Sequence, residues 1–253
     1  MIKTRVIPVL LLKDNGLVKT VKFKDPKYIG DPINSIRIFN EKEVDELVFL
    51  DITATLMKKE PDFGLIYRIA SEAFMPMAYG GGISTIEHIR KIFTLGIEKV
   101  IVNSATYNNY SLLKDAVSEY GSQSIVACID CKKSLLGKYA LYTGGGKRKQ
   151  KISINEHVKN LIQSGIGEII VNSIDRDGTQ KGYDIELIST IASNVSIPVV
   201  ACGGASSIDD LASAIKDGGA SAVAAGSMFV FKGKHRAVLI NYPDRHVIEE
   251  NLV

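Results

Sequence analysis

Short apolar runs alternate with segments in which apolar residues recur every three or four positions, and the alternation repeats along the whole chain. The apolar runs predict strands over Arg5–Leu12, Asp45–Asp51, Met75–Tyr79, Glu98–Asn103, Ser122–Asp130, Gly167–Ser173, Ile197–Cys202 and Ser221–Ala225. The first intervening helix is marked by Ile33, Ile36 and Phe39, with Asp31 as N-cap and Pro32 at the first helical position. Further helices are predicted over Phe63–Ala73, Thr85–Leu95, Ser111–Tyr120, Ile154–Gln163, Ile185–Ser193 and Ile208–Lys216. Several of them stop at a glycine, as in Leu95-Gly96, Tyr120-Gly121, Ser164-Gly165 and Asp217-Gly218. Eight βα units with no linker between them predict an α/β fold, a single (β/α)8 TIM barrel filling residues 1–253. A doubly wound open sheet is the alternative, and eight strands at this length suit closure better.

The chain also repeats itself. Glu46-Leu47-Val48-Phe49-Leu50 corresponds to Glu168-Ile169-Ile170-Val171-Asn172, and the same spacing separates Gly81-Gly82 from Gly203-Gly204. Arg5–Lys13 lies over Ser124–Lys132 at nearly the same offset. Two four-strand half-barrels would produce this pattern.

Composition sharpens the class. With 45% apolar and 23% charged residues the chain can bury enough surface to fold, which excludes disorder. Its longest apolar runs fall well short of the ~18 residues of a crossing helix, and no signal-peptide pattern precedes the first strand. Three cysteines make no disulfide framework, so a reducing, cytoplasmic setting is expected. A net charge of +3 argues for neither nucleic acid nor membrane as partner.

In such a barrel the site forms at the C-terminal strand ends. Gly80-Gly81-Gly82 follows the third strand and Gly203-Gly204 the seventh, each before a helix start. Glycine lets backbone N–H groups approach a phosphate, and a helix N-terminus adds its positive end. Asn103-Ser104 and Gly226-Ser227, with Gly178, complete two matched pockets, which predicts a ligand with a phosphate-like group at each end. At the other end of the barrel, Arg5, Glu46, Lys99 and Glu168 stand at strand starts, and strand parity turns all four inward. Two cations and two anions on the axis would pair into a ring.

These residues resemble the HisF family, the cyclase subunit of imidazole glycerol phosphate synthase. The resemblance rests on Arg5-Val6-Ile7-Pro8, Gly30-Asp31-Pro32, Asp45–Thr53, Gly80-Gly81-Gly82-Ile83, Gly121-Ser122-Gln123 and, most specifically, Ser173-Ile174-Asp175-Arg176-Asp177-Gly178-Thr179. It implies a barrel that takes ammonia from a glutaminase subunit docked on its N-terminal face. The ammonia passes along the axis to a bis-phosphorylated substrate, with no cofactor and no metal. It further implies Asp130 as one of two catalytic aspartates, Lys19 and Asp177 as its assistants, the four strand-start charges as the ammonia gate, and Glu98 as a docking carboxylate.

One position departs from the family. The second aspartate belongs on the first strand, and the repeat sets Leu11 opposite Asp130 there. Leucine neither donates nor accepts a proton, and each general acid or base is worth ~10²–10⁴ in rate. Leu10-Leu11-Leu12-Lys13, Gly16–Phe23 and Gly233–Pro243 resemble HisF paralogues of surface-polysaccharide pathways. That group is associated with acetamidino modification of sugars beside a separate amidotransferase. Ammonia delivery is therefore the expected role. An authentic cyclase of histidine biosynthesis and a silent barrel that only activates a glutaminase are the alternatives.

Three further features are read as structural. Cys128 and Cys131 sit at odd spacing on one strand, so their sulfurs face opposite sides. His88, His157, His235 and His246 lack metal-ligand spacing. Lys132–Thr143 is expected to form a hairpin turning at Leu136-Gly137, followed by a solvated Lys147–Lys151 loop that could face an anionic ligand at the mouth.

Overall fold

Strands buried on both faces need apolar residues at nearly every position, and eight such runs form the barrel. The structure, a computed structural model, describes residues 4–134 and 136–252. The barrel strands are β1 (Arg5–Lys13), β2 (Leu47–Asp51), β3 (Met77–Gly80), β4 (Lys99–Val102), β5 (Ile125–Lys133), β6 (Glu168–Ser173), β7 (Val199–Cys202) and β8 (Ala222–Ala225). Each pairs in parallel with the next, and β8 closes on β1 through Arg5↔Ala222 to Pro8↔Ala225. Around them lie α1 (Pro32–Glu41), α2 (Phe63–Glu72), α3 (Ile86–Thr94), α4 (Ser111–Tyr120), α5 (Ile154–Gln163), α6 (Ile185–Ala192), α7 (Ile208–Lys216) and α8 (Arg245–Leu252).

Parity sorts the side chains into two cores. Ile7, Val9, Val48, Ala78, Ile101, Val126, Cys128, Ile170, Val200, Ala222 and Ala224 fill the barrel interior. The alternate residues, among them Val6, Leu10, Leu47, Phe49 and Cys131, pack outward against the helices. Cys128 and Cys131 thus lie on opposite faces of β5, as their spacing predicts. Helix starts follow side-chain chemistry: Asp31, Asp62, Thr85, Ser153, Asp184 and Ser207 each accept a hydrogen bond from the first turn of the helix they cap.

Strand register carries the internal repeat. Leu11 pairs with Leu50 in β1–β2 as Asp130 pairs with Asn172 in β5–β6, and Leu50↔Gly80 answers Asn172↔Cys202. Both half-barrels also open alike. Their first strands run beyond the barrel wall into antiparallel ribbons, Gly16–Val21 with Lys24–Gly30 after β1, and Tyr139–Thr143 after β5.

Beyond shifts of one or two residues at other strand ends and two short helices, Ala54–Met57 and Ser227–Val230, the sequence reading differs from this in four places. The ribbon after β1 was not predicted. Its turn residues Lys22 and Phe23 both take positive φ, 52° and 62°, where glycine or asparagine would normally signal such a turn. Ser122–Ser124 forms a turn of 3-10 helix, and β5 begins only at Ile125, because the polar Ser-Gln-Ser offers the barrel nothing to bury. Asp45 and Glu46 precede β2, and Asp45 accepts a hydrogen bond from the Val6 N–H at 3.1 Å. The terminal helix α8 was also missed. It is anchored at the strand-start end of the barrel, where Thr4 donates to the Leu252 carbonyl and Tyr242 to that of Val6. The hairpin after β5 turns within 134–138 as expected, with Leu135 outside the described residues.

Candidate functional site at the barrel mouth

Where the eight strands end, a cavity of about 1240 Å³ opens between the two ribbons. Gly81, Gly82, Asn103 and Ser104 line one side, and Gly178, Gly203, Gly204, Gly226 and Ser227 line the other. The two sets predicted as phosphate pockets therefore share one mouth. At Gly178, with φ at 68°, a Cβ would run into the carbonyl of Thr20. At Gly226 it would meet the amine of Lys19. At Gly178 the obstacle is backbone and only a hydrogen fits, whereas at Gly226 the lysine end would have to shift.

Asp130 projects from β5 into this mouth between two amides. Asn103 Nδ2 donates to one carboxylate oxygen at 2.8 Å, and Asn172 Nδ2 to the other at 3.1 Å. Burial raises its pKa from 3.8 to about 7 even though both hydrogen bonds work the other way. The carboxyl can therefore exchange a proton near neutrality. Asn172 was missed at the sequence level, although it shares the inward parity of Glu168 and Ile170. Tyr107 was missed too; it lines the mouth and stacks at 4.0 Å on the fully buried His157, which Tyr110 holds by a 2.6 Å hydrogen bond.

Lys19 arrives from the ribbon after β1. Its amine is almost completely enclosed and donates to the Val9 carbonyl. Desolvation lowers its pKa to about 8 against the opposing charge of Asp177. Asp177, in the loop after β6, is shifted upward by burial, opposed by Lys19 and by a hydrogen bond from Thr20. Leu11 lines the same mouth on β1, half-buried against the interior core. The layer of inward side chains is thus polar just past β4 and on β5 and β6 (Asn103, Asp130, Asn172). It is apolar across the axis on β1 and β2 (Leu11, Leu50).

At the opposite end, four charges close a ring. Arg5 pairs with Glu46 at 2.5 Å and with Glu168, and Lys99 pairs with Glu46 at 2.8 Å and Glu168 at 3.2 Å. Burial works against the Arg5 charge, but the hydrogen bonds and charges of Glu168 and Glu46 outweigh it and keep its pKa above the ordinary arginine value. Glu98, exposed on the same face, accepts from the Met77 N–H at 2.7 Å.

The remaining candidates separate from the mouth chemistry. The thiols of Cys128 and Cys131 are both pushed well up by burial, which leaves them unreactive near neutrality. Among the described residues no cluster of His, Cys, Asp and Glu could hold a metal ion, and no helix is long and apolar enough to cross a membrane. Lys147, Arg148 and Lys149 are exposed and also line the mouth.

Fold and mouth together define a (β/α)8 barrel with a charged ring at one end of its axis and a polar cavity at the other. The model of the family described as histidine biosynthesis protein matches residues 5–236. The chain is 58% identical, over 96% of its length and 97% of the relative's, to a Pseudomonas aeruginosa protein provisionally named imidazole glycerol phosphate synthase subunit hisF2. It is 50% identical over 96% of its length and 94% of the relative's to the provisionally named subunit hisF3 of Vibrio vulnificus. The imidazole glycerol phosphate synthase subunit HisF of Alkaliphilus metalliredigens is 40% identical over 90% of this chain and 91% of its own. The chain belongs to this histidine biosynthesis protein family, among its HisF-like imidazole glycerol phosphate synthase subunits.

Proposed function

We propose that this chain is the ammonia-conducting synthase subunit of a glutamine-dependent amidotransferase system, serving the acetamidino modification of a surface-polysaccharide sugar. A glutaminase docks on the N-terminal face beside Glu98. Its ammonia crosses the ring of Arg5, Glu46, Lys99 and Glu168, and it leaves at the mouth. The observation that carries this reading is an asymmetry: the ring is complete, whereas Leu11 occupies the position at which the family's second catalytic carboxylate is expected. Between ring and mouth the interior is lined by Ile7, Val9, Val48, Ile101 and Val126. Such a lining favours neutral ammonia over ammonium, because an unpaired cation there would be stripped of water without compensation.

A second reading, the cyclase of histidine biosynthesis, draws support from Asp130, Lys19 and Asp177 lining one cavity. In that reaction Asp130, titrating near neutrality, would move the proton, the amine of Lys19 would hold the substrate, and the two glycine pockets would hold its phosphates.

Supplying the purified barrel with ammonium salt and the bis-phosphorylated cyclase substrate separates the two. Turnover at least ~10²-fold below an ordinary cyclase is expected from the loss of one general acid or base. Turnover within about tenfold of an ordinary cyclase would leave the second reading standing. Leu11→Asp is expected to return part of the rate, since the other three side chains are in place.

A further inference from the structure

The two ends of the barrel differ in charge as well as in shape. Around the strand starts the exposed charges are mostly acidic, with Glu41, Glu43, Glu98 and Glu250 among them. Around the mouth the exposed side chains are mostly cationic, and many stand outside the cavity: Lys22, Lys24 and Lys27 on the ribbon after β1, Lys138 on the hairpin after β5, and Lys232 and Lys234 after β8. None of these six lines the cavity, so a small ligand held there does not account for them.

The same rim carries large apolar side chains in water. Tyr28 is 66% exposed on the first ribbon, Met57 52% after β2, Leu136 88% at the tip of the second hairpin, and Leu239 51% after β8. Of the exposed large apolar side chains among the described residues, Ile38, Tyr67 and Phe74 alone lie off this face. Single exposed apolar residues are ordinary, but four separate loops presenting them around one opening, among lysines, form a surface.

We propose that this face docks a second protein, the acceptor enzyme that passes the nitrogen to the sugar, through a surface on which carboxylates are interleaved with apolar side chains. The inference rests on the conduit reading, and it supplies what a conduit needs at its exit. Ammonia leaving an uncovered mouth is diluted into bulk water and protonated, whereas a protein seated on the rim continues the path. The charge complementarity fixes the sign of the partner's surface, and the opposite sign of the strand-start face keeps acceptor and glutaminase at opposite ends. A flat bilayer would fit the charge but would leave the cavity filled with water.

The test is sedimentation velocity with the full-length barrel, the glutaminase and the sugar amidotransferase of the same system. A three-protein complex is expected, tighter at about 50 mM than at about 300 mM salt. Met57→Asp combined with Leu136→Asp should weaken acceptor binding at least about tenfold while glutaminase binding and its activation stay as in the parent. Lys24→Glu with Lys138→Glu should remove most of the salt dependence. Acceptor binding that is absent, unchanged in both double variants, or competitive with the glutaminase overturns the proposal. So does a barrel that pellets with phosphatidylglycerol vesicles or shifts duplex DNA in preference to the acceptor. If the acceptor docks as described and glutamine still drives no amination, the conduit reading fails and the docking surface stands.

Discussion

At the strand-start end of the axis, Arg5, Glu46, Lys99 and Glu168 satisfy one another in a closed ring. At the strand-end layer the same inward parity positions are divided. Asn103, Asp130 and Asn172 form a hydrogen-bonded polar arc from the end of β4 to β6, across the boundary of the two half-barrels, and Leu11 and Leu50 face it from β1 and β2. A buried ring of charges is costly unless every member is paired, so it constrains all four positions together. The mouth carries no such constraint, because the two positions are satisfied separately: Asp130 by two amides, Leu11 by the apolar core. A leucine at one of them therefore strands nothing at the other. The comparison explains how a barrel can keep a closed ring of charges at one end while the opposite end carries a leucine in place of a carboxylate.

The largest expected effect breaks the ring. Lys99→Ala leaves Glu46 and Glu168, both buried, with Arg5 as their remaining cation in the ring. A loss of ~3–5 kcal/mol is expected if the pair behaves as fully buried, less to the extent that Lys99 reaches solvent, measured by urea unfolding. Gly178→Ala should cost ~2–3 kcal/mol, because its positive φ and the Thr20 carbonyl together leave no place for a methyl. A cost within ~0.5 kcal/mol would show that this loop adapts rather than holds a fixed pocket.

On the polar arc the effect is smaller and depends on pH. Asp130 holds its proton to about pH 7 in the folded protein against 3.8 as an ordinary carboxyl. Its contribution to stability is therefore full below pH 4 and is lost as the pH rises through 7. Asp130→Asn should be more stable than the parent by ~2 kcal/mol at pH 8, with the two curves meeting below pH 4. The unpartnered Oδ1 of Asn172 is available to accept from the new amide. A variant less stable at pH 8 would mean that the Asp130 carboxylate is better solvated than its burial implies. Gly226→Ala is smaller again, ~1 kcal/mol, since the lysine end it meets can shift. Its sharper readout is phosphate titration followed by NMR, in which resonances near Ser227 should respond more weakly than those near Ser104.

Much of this comparison was legible in the sequence because it follows from a period of two. Parity alone turned Arg5, Glu46, Lys99 and Glu168 inward and split Cys128 from Cys131, and the internal repeat set Leu11 opposite Asp130. The same rule reaches Asn172, an uncharged side chain inside a strand that no glycine or helix start marks. Strand ends were less legible. Ser122–Ser124 and Asp45 border apolar runs without joining them, since hydrogen bonding at the barrel's edge decides where a strand begins. The ribbon that delivers Lys19 turns on Lys22 and Phe23, residues that give no turn signal. Charge segregation was invisible for another reason: a net +3 is a sum, and the lysines of the mouth and the glutamates of the strand starts are brought to opposite faces only by the winding of the barrel.

The central claim, that the ring gates ammonia for a mouth that no longer needs two acids, is tested most directly by nitrogen source. Lys99→Met keeps the length of the side chain and removes its charge. In a Lys99→Met protein shown to be folded and still bound to the glutaminase, acceptor amination driven by glutamine should fall at least ~10-fold, while amination driven by added ammonium salt stays within about twofold of the parent. On this account ammonia from added salt enters the acceptor enzyme from solvent without crossing the ring, whereas glutamine-derived ammonia has to cross it. Equal loss with both nitrogen sources would contradict the account and leave the ring a structural salt-bridge cluster.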